Sequence, residues 1–497
     1  MKYYSTRQID TKGYSGAEAI LRGIAADGGL LMPERIPTFS LSDFATFSQL
    51  SYPALAARLL HSFLPEYTEQ ELLEDASAAY GEMSFPRGAL EVKRVDRALY
   101  ALELWHGPTC AFKDLALQLM PHLFKRAKEK MGEERTALIL TATSGDTGKA
   151  ALEGFKNIPG IKIQVFYPQD GTSLTQRLQM VTQEGDNVSV YGINGNFDDA
   201  QRGVKRLFGD EHLAEVLNEK GVFLTSANSI NFGRLVPQIV YYVYAYLTLV
   251  KNGAIGMGDK LDIVVPTGNF GNILAAYMTK RMGLPVGRLV CASNQNNILY
   301  DFFSTGIYDR NRPFYTTISP SMDILVSSNL ERLLYLALGA QKTAQYMQSL
   351  AQTGRFALSY DELALLQSEF DGDWTSEDET KDIIRLCYDQ KGYLIDPHTA
   401  VAMHSACKKQ IYDAKPSDLR RTLVVSTASP FKFTLSVLQA LGQEVPQTEA
   451  EAMKALSAYT GHPIPCPLLD LDQKEVRFAA CIAVEDMDES MLRFAEE

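Results

Sequence analysis

Short apolar segments alternate with stretches of helical periodicity from residue 99 onward. The apolar segments lie at residues 137–141, 161–167, 187–191, 222–225, 263–266, 289–292 and 421–426. Such an alternation of strands and helices favours parallel, doubly wound sheets with helices on both faces. Ligands of these sheets bind beyond the carboxyl ends of the strands. The pattern therefore predicts an α/β fold with a site at those strand ends.

Two helical features are also visible in the hydrophobic pattern. Amphipathic runs at residues 52–63 and 70–80 predict a mostly helical N-terminal module. The most apolar stretch, residues 235–250, is interrupted at Pro237 and is too short to cross a membrane. We therefore predict that this stretch forms a buried helix that ends near Gly253.

Residues 321–390 are more helical and more acidic than the segments around them. We predict a helical insertion in which DGDW (371–374) and TSEDET (375–380) form turns. The predicted organisation has four parts: an N-terminal mostly helical domain at 1–95, an α/β core at 96–320, the helical insertion at 321–390, and the return strand of the core with a C-terminal tail at 391–497.

The composition argues against several classes of protein. The chain has 497 residues, a formal net charge of −12, 46% hydrophobic and 22% charged residues, which is ordinary for a globular enzyme. It has no run of Lys or Arg, which argues against nucleic acid or an acidic membrane as a partner. The six cysteines include no C-x-x-C pair, so neither a zinc site nor a disulfide framework is predicted. The start, MKYYSTRQID, has no signal core, and we expect a cytoplasmic location.

The strongest chemical candidate is Lys113, in the segment WHGPTCAFKD (105–114). A Gly-Pro turn precedes it, Thr109 can begin a helix, and Phe112 with the apolar residues 115–120 would bury the lysine stem. A lysine in partly apolar surroundings loses its charge readily, as an amine must in order to attack an aldehyde and form a Schiff base. Most lone lysines are surface charges, so this interpretation depends on a nearby site for a cofactor.

Two segments can hold an anion. Each of them, LILTATSGDTG (138–148) and IVVPTGNFGN (263–272), is an apolar strand followed by a glycine-containing turn and a predicted helix. Backbone N–H groups and the positive end of a helix dipole then converge on one point. The first segment lacks the spacing of a nucleotide P-loop and the second lacks G-x-G-x-x-G, so a nucleotide site is not favoured. For either segment alone, a plain turn of an α/β sheet is an equal alternative.

Five motifs occur in a distinctive order and spacing: HGPTCAFKD (106–114), TATSGDTG (141–148), SANSIN (226–231), PTGNFGN (266–272) and STASPFKF (426–433). In this combination the chain closely resembles threonine synthase, a pyridoxal-phosphate enzyme of the tryptophan synthase β type. The resemblance runs from residue 29 to beyond residue 433. It implies two doubly wound sheets of the PLP fold-type II kind and pyridoxal 5'-phosphate as the cofactor.

The resemblance also implies roles in cofactor binding. Lys113 would form the Schiff base with the cofactor and, once the substrate displaces it, act as the free amine that moves protons. Thr427 would meet the pyridine nitrogen. The residues expected to hold the cofactor phosphate are Gly268, Asn269, Phe270, Gly271 and Asn272.

The substrate is expected to contact two further motifs. The residues that resemble a cradle for its carboxylate are Thr143, Ser144, Asp146 and Thr147. Asp146 is expected to be protonated, or to turn toward the substrate ammonium or a loop N–H. Threonine synthase acts on O-phosphohomoserine, so a second phosphate site is needed. The candidates for it are Ser226, Asn228, Ser229, Asn231, Arg234 and Lys432.

Several of these residues have a plain structural alternative. Helix capping explains the polar side chains of residues 226–231 as well as ligand binding does. Arg234 could equally pair with a surface acid. His106 could support the lysine or cap a turn, and capping by Asp396 or Thr399 explains much of the segment around His398.

The function implied by the resemblance is a β,γ-replacement that converts O-phospho-L-homoserine and water to L-threonine and phosphate. A phospholyase or a serine/threonine dehydratase of the same fold would carry nearly the same motifs. A non-catalytic pyridoxal-phosphate-binding protein and a nucleotide-binding protein are alternatives from other classes. We expect a phosphorylated amino acid as the substrate, no metal, and a monomer or homodimer.

Overall fold

The protein is described by a computed structural model that covers residues 1–9, 11–143, 145–169, 172–412 and 420–497. Its strands are β1 (Tyr3–Ser5), β2 (Leu31–Pro33), β3 (Glu91–Arg94), β4 (Leu99–Glu103), β5 (Thr136–Ala142), β6 (Ile161–Pro168), β7 (Val188–Ile193), β8 (Val222–Thr225), β9 (Leu261–Pro266), β10 (Val286–Ser293), β11 (Ile307–Asp309), β12 (Arg355–Ala357), β13 (Phe370–Trp374), β14 (Thr422–Ser426) and β15 (Cys481–Ile482).

The helices of the N-terminal half are α1 (Gly16–Arg22), α2 (Leu41–Phe47), α3 (Tyr52–Phe63), α4 (Glu69–Ala79), α5 (Lys113–Leu117), α6 (Met120–Met131), α7 (Asp146–Phe155), α8 (Leu174–Val181), α9 (Phe197–Gly209), α10 (Glu211–Glu219), α11 (Phe232–Leu235) and α12 (Gln238–Lys251). Those of the C-terminal half are α13 (Gly271–Arg281), α14 (Ile298–Thr305), α15 (Leu330–Leu338), α16 (Ala340–Thr353), α17 (Tyr360–Gln367), α18 (Glu377–Lys391), α19 (Pro397–Tyr412), α20 (Thr434–Ala440), α21 (Glu449–Thr460) and α22 (Met487–Glu496).

Two parallel sheets form the centre of the molecule. A six-stranded sheet has the order β13–β10–β9–β14–β4–β3, parallel except for β3, and a five-stranded parallel sheet has the order β15–β7–β6–β5–β8. Every residue of β9, β14 and β4 is buried, as expected for parallel strands that helices cover on both faces. The predicted α/β fold with two such sheets is confirmed.

The apolar pattern located most of these elements. All seven apolar segments correspond to strands, namely β5 to β10 and β14. The amphipathic runs correspond to α3 and α4, and the apolar stretch from residue 235 forms the buried helix α12, which ends at Lys251. No helix in the described part of the chain has the length and hydropathy needed to cross a bilayer.

The predicted turns between residues 371 and 380 are wrong. DGDW lies in β13, which pairs in parallel with β10 at the edge of the six-stranded sheet. Asp371 pairs there with Arg288 of β10, and Gly372 leaves room for α14, since an added Cβ would lie 3.2 Å from the Cβ of Phe303. Ser376 begins α18 with a capping box to Glu379. Acidic residues at a sheet edge and at a helix start therefore gave a pattern that looks like a turn.

The C-terminal tail, about which the sequence analysis made no structural prediction, adds an edge strand to the second sheet. β15 pairs in parallel with β7, and the buried side chains of Met487, Met491 and Phe494 on α22 join an apolar cluster with α9 and the strand β5. The proposed domain boundaries stay predictions.

Helices α5 and α7 approach each other closely at Gly154. A Cβ at this position would lie 2.0 Å from the backbone oxygen of Leu117. Only a glycine allows this contact, and it holds α5, which begins with Lys113, against α7.

We expect Gly154→Ala to destabilise the protein by about 1–3 kcal/mol, because backbone must move to make room for the methyl group. Thermal or urea unfolding followed by circular dichroism measures the change. Gly209→Ala is the matched control, since an added Cβ there meets nothing within 4 Å in helix α9. Equal stability of the two variants would contradict the packing argument.

Candidate functional site

A cavity of about 210 Å³ opens at the carboxyl ends of β5, β8, β9 and β14, two strands from each sheet. This is the position that the fold class predicts for a ligand. The cavity brings together fourteen of the residues singled out in the sequence: Lys113, Thr143, Asp146, Thr147, Ser226, Asn228, Ser229, Arg234, Gly268, Asn269, Phe270, Gly271, Asn272 and Thr427. Ser144 lies outside the described residues.

The segment before Lys113, which we call the lysine loop (residues 105–112), is fixed by hydrogen bonds at Thr109 and at Phe112. The carboxylate of Asp114 accepts bonds from the backbone N–H and the hydroxyl of Thr109, at 2.8 and 2.6 Å. Thr109 therefore does not begin a helix, and α5 starts at Lys113 itself. The N–H of Phe112 donates to the carbonyl of Thr427 at 2.8 Å, which ties Lys113 to the end of β14.

The amine of Lys113 lies in surroundings that favour its neutral form. The residue is only 8% exposed, and its nitrogen lies 4.8 Å from the ring centre of Phe112. Burial lowers the pKa of Lys113 to about 8, with Asp146 acting in the opposite direction and Arg234 acting with burial. The predicted partly apolar environment of this lysine is confirmed.

Among the described residues, Asp146 is the carboxylate that lies beside the Lys113 amine. It lies 3.5 Å from the Lys113 amine, 2.6 Å from the amine of Lys432 and accepts a hydrogen bond from Gln176 at 2.7 Å. Burial alone would raise the pKa of Asp146, but the two lysines bring it well below its usual range. Asp146 is therefore ionised and faces the two amines, an arrangement that the sequence did not suggest.

Lys432 does not contact the cavity. Its side chain is fully buried, and its amine donates to the carbonyl of Thr109 at 2.9 Å as well as to Asp146. The expected contact between Lys432 and a substrate phosphate is not supported, because this charge is already engaged with a carboxylate. Lys432 instead joins the lysine loop to the start of α7.

The segment at residues 268–272, which we call the glycine loop, leads into helix α13. An added Cβ at Gly268 would lie 2.8 Å from the carbonyl of Ser321, and Phe270 has a positive φ of 62°. The hydroxyl of Ser327 donates to the carbonyl of Gly268 at 2.7 Å. The loop is thus held in a close-packed form at the positive end of a helix dipole.

Asn272 supplies an unpaired donor in the glycine loop. Its Oδ1 accepts hydrogen bonds from the hydroxyls of Tyr241 and Tyr242, at 2.6 and 2.5 Å. Its Nδ2 is buried and has no partner among the described residues. A buried amide nitrogen without a partner is costly, so a ligand that accepts its hydrogen bond fits this site. The glycine loop therefore fits a phosphate group.

Arg234 is a buried cation that has no acid partner among the described residues. It donates to the carbonyl of Ala227 at 2.9 Å and to the hydroxyl of Thr147 at 3.3 Å. No carboxylate of the described residues forms an ion pair with it, and burial lowers its pKa to about 10. The alternative in which Arg234 pairs with a surface acid is therefore excluded for the described residues.

The other polar residues of this region are partly engaged in local structure. Asn231 caps α11, as the capping alternative predicts, by accepting from the N–H of Gly233 at 2.8 Å. The hydroxyl of Thr143 accepts from the N–H groups of Gly145 and Gly148, both at 2.9 Å, so it supports its loop. Asn228 has a buried Oδ1 without a partner among the described residues. That atom is an acceptor, so it does not suit a phosphate oxygen.

The two histidines singled out in the sequence, His106 and His398, have structural partners. His106 lies 3.0 Å from the carboxylate of Glu103 at the end of β4. His398 lies 2.7 Å from Asp396, and its Nε2 accepts from the N–H of Ser321 at 3.1 Å. Asp396 also accepts from the N–H of Thr399, so the predicted capping by Asp396 is confirmed. His398 lines the cavity and holds the turn at Ser321 in place.

Sequence reasoning missed five residues at or beside the site. Gln176 and Ser321 both donate to Asp146, and the cavity wall includes Gln201 and Lys205 of α9. Arg332 lies behind the glycine loop. None belongs to a motif, and their partners are distant in the chain, as the separation of 175 residues between Ser321 and Asp146 illustrates. No local signal could have identified them.

A buried lysine and a phosphate-sized glycine loop at the ends of parallel strands define the class of pyridoxal-phosphate-dependent enzymes, and the family model "Pyridoxal-phosphate dependent enzyme" matches residues 88–428. A second model, "Threonine synthase N terminus", matches residues 2–80. The chain belongs to the threonine synthase family, a family of carbon–oxygen lyases with pyridoxal phosphate as cofactor. The predicted family, fold, enzyme class and cofactor are confirmed.

Named relatives and solved structures agree with this assignment. The chain is 36% identical to "Threonine synthase" from Schizosaccharomyces pombe, covering 89% of each chain. It is 37% identical to human "Threonine synthase-like 1" over 97% of this chain, and spans 65% of the length of that relative. The PLP-bound threonine synthase structure from Brucella melitensis has a TM-score of 0.86 and 35% identity over 100% of both chains. The yeast threonine synthase structure has a TM-score of 0.85 at 31% identity, covering 99% of each chain.

Asp146→Asn should lower the pKa of Lys113 further, because the carboxylate is the nearest group that favours the charged amine. Only the neutral amine attacks an aldehyde, so the reaction rate of the cofactor-free protein with pyridoxal should rise with pH and level off above the pKa. We expect a midpoint near pH 8 in the unmodified protein and a lower one in the variant. Stopped-flow absorbance over a pH series gives both midpoints.

Glu153→Gln is the control for this experiment. Glu153 lies on the same helix but pairs with Lys149 and Lys156, at 3.1 and 2.5 Å, and does not line the cavity. In Glu153→Gln, the midpoint of the pH dependence of the reaction with pyridoxal should equal that of the unmodified protein. An unchanged or raised midpoint in Asp146→Asn would show that Asp146 does not control the amine.

Proposed function

We propose that this protein is a threonine synthase that converts O-phospho-L-homoserine and water to L-threonine and phosphate. The observation that carries the proposal is that one cavity combines the Lys113 amine, the glycine loop and the guanidinium of Arg234, which pairs with no carboxylate of the described residues. A pyridoxal-phosphate enzyme that acts on a phosphorylated amino acid needs one reactive amine and two separate anion sites. The named threonine synthases at 35–36% identity support the same activity.

We assign the cofactor phosphate to the glycine loop. The unpartnered Nδ2 of Asn272 and the start of α13 supply a donor and a positive dipole end there. Thr427, at the end of β14, lies within the same cavity and is assigned to the pyridine nitrogen. A neutral hydroxyl at that nitrogen does not hold a proton on the ring as a carboxylate would.

We assign the phosphate of the substrate to Arg234. Its guanidinium and the hydroxyl of Thr147 are already in contact, and Ser226 and Ser229 line the same part of the cavity. A phosphate would provide the anion that this buried cation lacks. The start of α7 after Thr143 is assigned to the substrate carboxylate.

The bound cofactor supplies an electron sink for the charge released at the substrate Cα. Lys113, once displaced by the substrate amine, takes the proton from Cα and passes it to the substrate phosphate. Neutral again, it takes a proton from Cβ as phosphate leaves from Cγ, and it delivers this second proton to Cγ. Water adds its hydroxyl at Cβ, and Lys113 carries the proton released by the water to Cα. A pKa of about 8 lets this amine accept and donate protons near neutral pH. One amine serves both carbons because they are adjacent and the lysine stem is flexible.

Lys113→Ala should abolish threonine formation, since no other amine in the described cavity wall takes its place beside Asp146. With the unmodified enzyme, O-phosphohomoserine should yield threonine and phosphate in equal amounts. Borohydride reduction followed by peptide mapping should locate the covalent cofactor adduct on Lys113. Amino-acid analysis and a phosphate assay measure the products, and circular dichroism checks that the variant folds.

Other products would identify the alternatives from the same fold. A keto acid and phosphate without threonine would indicate a phospholyase, and turnover of serine or threonine alone would indicate a dehydratase. No turnover with the adduct present on Lys113 would indicate a cofactor-binding protein without this activity. Each of these results would overturn the proposal.

Arg234→Met should lower kcat/KM for O-phosphohomoserine by about 10- to 100-fold, the usual loss for a charge-assisted hydrogen bond. Inhibition by inorganic phosphate should weaken to a similar degree, whereas the absorbance of the bound cofactor should stay unchanged. Arg234→Lys, which keeps the charge, should recover part of the loss. Steady-state kinetics with all three forms tests the assignment, and equal phosphate inhibition in all three would refute it.

A cytoplasmic location and a monomeric or homodimeric state stay predictions from the sequence.

A further inference from the structure

Arg332, in helix α15, is a fully buried arginine whose hydrogen-bond acceptors among the described residues are all neutral. It donates to the carbonyls of Ser229 at 3.0 Å, Ile230 at 2.6 Å and Leu31 at 3.3 Å. It also donates to Oδ1 of Asn329 at 2.5 Å. A rigid planar guanidinium can satisfy several acceptors at fixed angles, which a lysine cannot do.

The acceptors belong to separate parts of the chain that meet at the cavity. Leu31 lies in β2 of the N-terminal module, 301 residues away, while Ser229 and Ile230 belong to the SANSIN motif. Asn329 continues the connection, because its side-chain and backbone N–H groups both donate to the carbonyl of Asn269, at 3.0 and 3.1 Å. Arg332 thus links the glycine loop to the motif beside Arg234.

Among the described residues, no carboxylate forms an ion pair with the guanidinium of Arg332. The adjacent Glu331 acts on Arg332 electrostatically and opposes the effect of burial on its pKa, but the Glu331 carboxylate pairs with Arg7 at 2.9 Å. Burial lowers the pKa of Arg332 to about 9, so it still carries its charge at neutral pH. A buried charge of this kind is stabilised by an anion nearby, and the glycine loop is two hydrogen bonds away.

We propose that Arg332 is a positioning residue for the cofactor phosphate: it fixes the glycine loop through Asn329 and places a positive charge behind it. The inference rests on the proposed assignment of the cofactor phosphate to that loop. Arg332 does not contact the reacting atoms, so its effect falls on cofactor affinity.

The test compares pyridoxal phosphate with pyridoxal, which lacks the phosphate group. Cofactor-free protein is titrated with each aldehyde and the absorbance of the bound form gives the two Kd values. Arg332→Met should raise the Kd for pyridoxal phosphate by about tenfold or more and the Kd for pyridoxal by less than about twofold. Arg332→Lys keeps the charge, so its Kd for pyridoxal phosphate should lie between the values of the unmodified protein and of Arg332→Met.

Arg7→Met is the matched control. Arg7 also joins the N-terminal module to α15, through Glu331, but it contacts neither the glycine loop nor residues 229–230. This variant should keep the ratio of the two Kd values. A general destabilisation of the fold would raise the Kd values of both aldehydes by the same factor. That result with Arg332→Met would overturn the proposal.

Two further variants keep the test decisive. If Arg332→Met does not fold, Asn329→Ala removes the connection to Asn269 and should lower the preference for the phosphorylated aldehyde; an unchanged preference would overturn the proposal. Gly268→Ala, which would place a Cβ 2.8 Å from the Ser321 carbonyl, tests the loop itself. An unchanged preference in Gly268→Ala refutes the loop assignment, whereas a change there with none in the Arg332 variants refutes this inference alone.

Discussion

The ion pair between Asp146 and Lys432 is the interaction on which the chemistry of the cavity depends. Lys113, Lys432 and Arg234 bring three positive charges close together in a buried place, and Asp146 lies between the first two. Removing the carboxylate would leave unpaired buried charges, which is strongly unfavourable. With it, the positive charge of Lys432 has a carboxylate partner at 2.6 Å, and Lys113 keeps a pKa of about 8. One carboxylate thus forms the ion pair of Lys432 and also acts on the pKa of Lys113.

The two-sheet arrangement explains why the cavity can combine such different groups. Each sheet contributes two strand ends: the lysine loop and the glycine loop are fixed to the six-stranded sheet, while Thr143 and the SANSIN motif follow strands of the five-stranded sheet. Close contacts at Gly154 and Gly268 hold the helices and loops that carry these groups. The positive charges of the site are therefore held together by packing, although the whole chain has a net charge of −12.

Local signals in the sequence predicted the strands, the burial of Lys113 and the glycine loop ahead of α13, because each depends on neighbouring residues. The lysine stem, the glycine turn and the helix start lie within a few positions of one another. Lys432 was misassigned because its motif indicates proximity to the site but not the direction of the side chain, which is determined by Thr109, 323 residues away. Arg332 was invisible for the same reason. The acidic β13 was mistaken for a turn because pairing with β10 outweighs its low strand propensity.

The place of β14 in the six-stranded sheet has a consequence for how the protein folds. This strand lies between β9 and β4, near the middle of the sheet, although it comes late in the chain. The backbone N–H of Phe112 also donates its hydrogen bond to Thr427, the residue directly after this strand. A growing polypeptide on the ribosome therefore cannot close the sheet or seat its reactive amine until most of the chain has been made. Closure over such long sequence separations is slow and leaves apolar strand edges exposed meanwhile. Pyridoxal phosphate can therefore bind only after most of the chain has been synthesised.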